Sequence, residues 1–313
     1  MPSWVVSLPD RLDVFLASGG RSRSRSQAQK SIENGKVRVN DEVQTRMAFR
    51  LQEGDVVELT EEAPTEQTSL SPEDLHLEVL YEDDASLVLQ KPAGFAVHPG
   101  TGMAPGEKTI LHGIAFLFEK RGLPFSEAAV LVHRLDKDTT GCLLVAKNPE
   151  AHRILQEQFE TRTVRKQYLA VVAGVPALAA ATVDAPIGRS AVNRTKMAVS
   201  SSVSSREAQT TYRTLSSSRA PAALLLCDLH TGRTHQIRVH LHSIGHPVLG
   251  DPSYANDLAE RLNGSYDIRQ ILLHAWTLKF VSPADQKEHE VHAPLSSDWS
   301  RVLERLELKW PQA

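Results

Sequence analysis

Apolar residues along the chain recur first at helical and then at strand spacing, and the change of period marks out the elements. Leu12, Phe15 and Leu16 share one face of a predicted helix, and Ala28 and Ile32 one face of a second that ends near Asn34-Gly35. Val37 and Val39 alternate as in a strand, Asn40-Asp41 marks a turn, and residues 56–59 form another strand after Gly54-Asp55. Further on, residues 87–89 make a short apolar strand and Lys91-Pro92-Ala93-Gly94 a turn. Ile110, Leu111, Ile114, Leu117 and Phe118 lie at helical spacing. Residues 130–132 and 143–145 read as strands flanking a polar loop, and Ile154, Leu155 and Phe159 line a helix. Residues 168–172, 209–212 and 224–229 are strand-like. Beyond them, Thr234 is expected to cap a helix with Ile237, Leu241 and Ile244 as its apolar stripe and Gly245 as its exit. Arg238 and His242 would then share a polar face one turn apart. Helices and strands mix without regular βαβ alternation, so the fold class is α+β rather than a doubly wound sheet.

Composition sharpens this picture. The 313 residues are 41% hydrophobic and 23% charged, as expected of a globular chain with room for two domains. No apolar run approaches the roughly 20 residues that span a bilayer, and the start lacks a basic region followed by a long apolar core. Cys142 and Cys227 form no Cys-x-x-Cys pair, which leaves neither a disulfide framework nor a four-sulfur zinc site. The cytoplasm is the expected location. Net charge is −3, but it is unevenly spread: residues 1–60 carry nine Lys and Arg against eight Asp and Glu, and residues 61–90 carry nine acids and no base. The division expected is a small module over residues 1–60, an acidic, proline-bearing linker over 61–74, and a larger domain over 75–313. Arg21, Arg23, Arg25, Lys30, Lys36 and Arg38 concentrate positive charge in the small module, where they suit a phosphate backbone. Charge alone favours a solvated helix face.

The motif search removes several chemistries. There is no G-x-G-x-x-G, and in GTGMAPGEK the lysine does not follow a glycine, so a phosphate loop fails. His235, His240, His242 and His246 include i, i+4 pairs, yet no carboxylate or cysteine lies among them, so no metal is expected. Two polar segments pinned by glycine remain. HRLDKDTTG, residues 133–141, lies between apolar strands and presents Asp136 between Arg134 and Lys137. The second, LHTGRTHQIRVHLHSIGHPVLGD, covers residues 229–251. Taken singly, an Asx-turn and a basic surface helix explain them.

Together these segments resemble the signature motifs of the RluA-type family of pseudouridine synthases. Lys91-Pro92-Ala93-Gly94 with His98-Pro99, the stretch RKQYLA at 165–170, and Leu272-Leu273-His274-Ala275 are similar to further family segments, in the family's order over about residues 75–295. Thr140 stands where the family usually has serine. Residues 11–60 resemble the alpha-L RNA-binding module shared with a small-subunit ribosomal protein. The resemblance implies a mixed, mainly antiparallel sheet of pseudouridine synthase type behind a small helix-helix-sheet RNA-binding module. It implies catalytic roles for Asp136, Tyr168 and Arg238, with Arg134, Leu273, Arg233 and His235 at the substrate, and no cofactor.

Pseudouridine formation breaks the bond between uracil nitrogen and ribose, turns the base and rejoins it through carbon. By the resemblance, Asp136 either attacks covalently or assists proton removal from the sugar; both roles want it charged, and a guanidinium beside it favours that form. Tyr168 would stack on the uracil, worth about 1–3 kcal/mol. The partner implied is structured RNA, ribosomal RNA or a ribosomal assembly intermediate, bound by a monomer; transfer RNA is the second choice. Two other classes compete. A glycoside hydrolase would pair Asp136 with Asp138, but Lys137 between them gives no reason for an acid of raised pKa. A non-catalytic RNA-binding protein would leave Asp136, Tyr168 and Arg238 unexplained.

Overall fold

The computed structural model describes residues 3–18, 21, 25–60, 70–100, 103–104 and 106–310, with the side chains of residues 25–27 and 30 outside the description. The chain divides into two compact units, Met1–Ser69 and Leu70–Ala313.

In the first unit the strands β1 (Ser3–Val5), β2 (Asp10–Arg11), β3 (Val37–Val39), β4 (Glu42–Val43), β5 (Arg50–Leu51) and β6 (Val56–Leu59) accompany the helices α1 (Leu12–Ala17) and α2 (Arg25–Glu33). Four of the strands form an antiparallel sheet in the order β1-β6-β3-β4, and β2 pairs with β5. Asn40 and Asp41 both take positive φ in the turn between β3 and β4, as a two-residue hairpin requires. Leu12, Phe15, Leu16 and Ile32 pack with Val37, Val39, Leu51 and Val57 into one core. The helical and alternating patterns of this segment thus become helix and sheet as expected.

The second unit contains β7 (Glu78–Glu82), β8 (Ser86–Lys91), α3 (Ile110–Lys120), β9 (Thr140–Ala146), α4 (Pro149–Glu160), β10 (Arg165–Ala173), β11 (Ala180–Asp184), β12 (Ile187–Arg189), β13 (Met197–Val199), β14 (Gln209–Ser217) and β15 (Ala222–Leu229). It continues with α5 (Gln236–Ser243), α6 (Asp257–Tyr266), β16 (Leu273–Val281), β17 (Glu288–His292) and α7 (Ser297–Arg305). A nine-stranded sheet runs β11-β14-β15-β10-β16-β9-β8-β7, with β17 also on β16. Its pairings are antiparallel except β9 with β16, which meet in parallel at His274 opposite Thr140. This is a mixed, mainly antiparallel sheet in an α+β fold.

Central strand β10 reads as a continuous apolar run because both of its faces are covered. Tyr168, Ala170 and Val172 turn to the face packed by Ile110, Ile114 and Phe118 of α3 and by Ile237 and Leu241 of α5. Leu169, Val171 and Ala173 turn to the other, under α6 and α7 with Leu262, Trp299 and Leu303. Residues 130–132 do not form the expected strand. A single 3-10 turn at Glu127–Ala129 leads into Leu131, which makes one isolated bridge to Val145. This segment is apolar because Val130 is buried, not because it carries a ladder.

Two glycines let backbones approach where a side chain would not fit. Gly141 has φ 111°, and a Cβ there would overlap the carbonyl of Ala275 in the parallel pairing. Gly250 has φ 76°, and a Cβ would overlap the carbonyl of Gln270. Gly250→Ala should therefore destabilise the second unit by about 2 kcal/mol or more. The check is the urea midpoint of unfolding, which should fall clearly below that of the unaltered protein.

Candidate active site

The loop between the 3-10 turn and β9 is held from several sides. Lys91, at the end of β8, is fully buried, and its Nζ donates to the carbonyls of Pro92 (2.7 Å), Lys137 (2.8 Å) and Thr139 (2.9 Å). Three acceptors match the three donors of an ammonium, so this side chain ties the strand end to the loop. Burial brings the Lys91 pKa down to about 7 against the pull of Asp138 and Asp136. At the loop's start, the Leu144 backbone N–H donates to His133 Nε2 at 2.8 Å, and the His133 ring stacks on Phe159. Burial, with Lys166 nearby, lowers the His133 pKa to about 3 and keeps the ring neutral. At the exit, Thr140 Oγ1 lies 2.7 Å from His274 Nδ1, while His274 Nε2 reaches the Ala293 carbonyl at 3.1 Å. That carbonyl takes the ring proton, so the Thr140 hydroxyl donates to Nδ1. The threonine therefore makes its hydrogen bond with the hydroxyl it shares with serine.

Asp136 projects from this loop with its side chain 19% exposed. Arg238 Nη1 donates to its Oδ2 at 3.1 Å. The rest of the Arg238 fork is taken by Asp251, with Nε to Oδ2 at 2.6 Å and Nη2 to Oδ1 at 2.9 Å. Arg238 is 5% exposed and Asp251 0%. Burial alone would lower the guanidinium pKa, but the two carboxylates raise it well beyond its ordinary value. Asp251 Oδ1 also accepts the Ser253 backbone N–H at 2.8 Å, and the guanidinium carbon sits 5.2 Å from the Tyr254 ring centre. Tyr254 Oη accepts the Met197 backbone N–H (3.0 Å) and lies 2.9 Å from His235 Nδ1.

Helix α5, which carries Arg238, differs from its expected form at both ends. It begins at Gln236, and the residue before it is His235 in a left-handed conformation (φ 57°), so Thr234 is not its cap. Gln236 does the local work instead, its Oε1 accepting from the Arg233 backbone N–H and the Thr231 hydroxyl while Nε2 donates to the Gln209 carbonyl and Thr210 Oγ1. Arg238 and His242 do not share a polar surface: Arg238 turns inward and His242 is exposed. Ile237 and Leu241 are buried as expected, but Ile244 is 37% exposed.

A cavity of about 420 Å³ opens beside Asp136. Its walls include Arg134, Tyr168, Arg233, His235 and Leu273, so the sequence-predicted residues of this half converge, with Arg238 behind the Asp136 wall. Tyr168 is buried, and desolvation together with the Asp136 charge raises its pKa, keeping the phenol protonated. Desolvation lowers the His235 pKa against the pull of Asp136. Arg233 Nε donates to the Glu207 carbonyl at 3.0 Å. Thr139 Oγ1 is buried on the cavity wall and has no hydrogen-bond partner among the described residues.

The bases of the first unit are placed differently. Arg21 precedes α2 and closes α1: its Nη1 donates to the carbonyls of Phe15 (3.2 Å) and Ser18 (3.1 Å), and its guanidinium lies 4.1 Å from the Phe15 ring centre. Lys36 follows α2 half-buried, and Arg38 is exposed on β3 opposite Glu58. Arg23 and the side chains of Arg25 and Lys30 lie outside the described residues. The four histidines between residues 235 and 246 go separate ways. His235 meets Tyr254, His240 spans Thr210 and the Ala185 carbonyl, His246 meets the Ala173 carbonyl, and the exposed His242 lies against the Tyr254 ring. Among the described residues no group of three or more His, Cys, Asp or Glu side chains converges as for a metal.

Residues 85–243 match the RNA pseudouridylate synthase family, and residues 10–57 match the S4 domain. The chain belongs to the RNA pseudouridine synthase family. The synthase is 38% identical over 298 residues to the uncharacterized RNA pseudouridine synthase YlyB of Bacillus subtilis, covering 95% of this chain and 94% of that protein. It is 39% identical to the ribosomal large subunit pseudouridine synthase D of Xanthomonas campestris, over 95% of this chain and 88% of the relative. To synthase C of Vibrio cholerae it is 34% identical, over 95% and 93%. Among solved structures it resembles human RNA pseudouridylate synthase domain containing 4, with a TM-score of 0.60 and 29% identity over 75% of this chain and 94% of that one.

Sequence reasoning gave no role to Asp251, Tyr254 or the Lys91 ammonium. No sequence signal singles out Asp251, because its bidentate pairing with Arg238 is set by the fold. Replacing it tests the arrangement. Asp251→Asn keeps volume but leaves the Arg238 charge buried with half its compensation, and should cost about 3–5 kcal/mol of stability. Chemical denaturation of both proteins at neutral pH measures this.

Proposed function

We propose that this synthase isomerises uridines of structured RNA in the large ribosomal subunit, with Asp136 as the carboxylate at the sugar–base junction. The observation that carries the reading is Asp136 itself, a little-exposed carboxylate on a cavity wall with the Arg238 guanidinium 3.1 Å away. Isomerisation of uridine moves one glycosidic bond from nitrogen to carbon and leaves the oxidation state unchanged. It needs an ionised carboxylate near the sugar and a pocket that keeps the detached base in place. Arg238 holds Asp136 in place through its Nη1 hydrogen bond. Tyr168, a neutral phenol, would lie against the uracil, with Leu273 completing the apolar wall. Arg134, Arg233 and His235 line the same cavity and would meet the RNA around the extruded uridine. Extrusion costs a few kcal/mol and favours loops or loosened helices.

The ribosomal target is supported by the names of the relatives, several of which are ribosomal large subunit synthases. In this reading residues 1–60 bind the RNA backbone through Arg21, Arg23, Arg25, Lys30, Lys36 and Arg38, and residues 61–74 tether them to a catalytic domain over 75–313. A tether raises the local concentration of RNA without altering the chemistry.

Asp136→Asn tests the reading. The substitution removes the charge and little else, so pseudouridine formation in large-subunit ribosomal RNA should vanish while RNA affinity stays within about threefold, roughly 0.7 kcal/mol. Quantification of pseudouridine after incubation, with mass spectrometry to confirm that the asparagine has not deamidated, is the measurement. Sustained turnover would refute the role of Asp136.

A further inference from the structure

A second groove, of about 660 Å³, adjoins the cavity beside Asp136; Phe159, Arg162, Lys166, Leu229 and His230 belong to the walls of both. Each volume falls within the roughly 300–1,000 Å³ of ligand sites. Lys166 stands at this divide. On β10 it is two residues before Tyr168, hence on the same face of the strand. Its Nζ lies 5.6 Å from the Phe159 ring centre and would be 3.9 Å from a Cβ built on Gly232, so the ammonium sits between the end of α4 and the turn before α5.

Lys166 makes no ion pair or hydrogen bond among the described residues, and its charged neighbour is another cation, Arg162. Burial and Arg162 bring its pKa down to about 8. Arg165 and Arg162 add exposed positive charge to the groove. The acids on its wall have partners of their own within the groove: Asp228 accepts from Gln167 Nε2 at 2.9 Å, and Glu290 lies 3.7 Å from Lys279 Nζ. A half-buried cation without a counter-ion, shared by two cavities, is arranged for an anion that passes from one to the other.

We propose that the groove is a subsite for the nucleotide next to the target uridine, and that Lys166 binds the phosphodiester joining the two. This rests on the cavity beside Asp136 receiving that uridine. The phosphate would supply the missing counter-charge, and its neighbour's base would enter the groove along Phe159.

The test uses the full chain and a fragment of large-subunit ribosomal RNA containing the uridine it modifies. The fragment is splint-ligated with a single neutral methylphosphonate on the 5′ or the 3′ side of that uridine. With the unaltered protein, one of the two linkages should weaken binding about tenfold, the scale of one charged hydrogen bond. Lys166→Gln should weaken binding of the native RNA by a similar factor and reduce the salt slope by about 0.7. The two changes together should cost no more than either alone, and Lys166→Arg should restore affinity for the native RNA. Lys166→Met, which keeps the stem against Phe159, takes the place of the glutamine variant if that protein does not fold. If neither linkage matters, or if the two losses multiply, the subsite is refuted. If the unaltered protein forms no pseudouridine in ribosomal RNA, the failure lies instead with the functional reading on which the subsite rests.

Discussion

A guanidinium divided between two carboxylates governs the arrangement of the second unit. Arg238 is buried, and a buried charge must be compensated. Asp251 takes two of its donors in a bidentate pair, which leaves Nη1 for Asp136. The less buried carboxylate is thereby fixed by an arginine that is itself fixed, and Asp136 is aimed from below without being covered. Asp251 can reach the fork because Gly250 lets the chain pass against the Gln270 carbonyl. The helix bearing Arg238 is seated in turn by Gln236, whose amide ties it to β14 and to the preceding turn.

The loop carrying Asp136 is fixed by a second, separate device. Lys91 binds two of its carbonyls from the end of β8, and Gly141 allows β9 to meet β16 in the sheet's one parallel pairing among the described residues. Aspartate and arginine thus arrive from elements 102 positions apart in the chain. Strand β10 connects these devices to the cavity. One face presents Tyr168 toward the cavity, and the opposite face is buried under α6 and α7. A strand with both faces packed fixes the position of the Tyr168 ring on the cavity wall.

Local pattern was enough wherever local packing decides the outcome. The helices around Leu12–Leu16, Ile110–Phe118 and Ile154–Phe159, and the strands at 87–89, 143–145, 168–172 and 224–229, all carry a clear period and all form. Where long-range contacts decide, the pattern misled. Residues 130–132 look like a strand because they are apolar, yet only one bridge forms. Thr234 has the chemistry of a cap, but the Gln236 side chain occupies the preceding turn and His235 takes a left-handed conformation. Arg238 reads as a surface residue until its buried partner is known. Asp136, Tyr168 and Arg238 were singled out by the family resemblance that the motifs carry, whereas Asp251 and Lys91 act through contacts that no spacing rule announces.

The bridging role of Arg238 is the central physical claim, and Arg238→Lys addresses it most directly. A lysine keeps the positive charge but, as a point charge without a planar fork, does not hold Asp251 and Asp136 together in the same geometry. Single-turnover pseudouridine formation at saturating RNA should fall about 100-fold, the scale expected when a reacting group is misplaced by an ångström. A lysine protein that remains folded and forms pseudouridine at close to the unaltered rate would contradict the claim, because charge alone would then suffice.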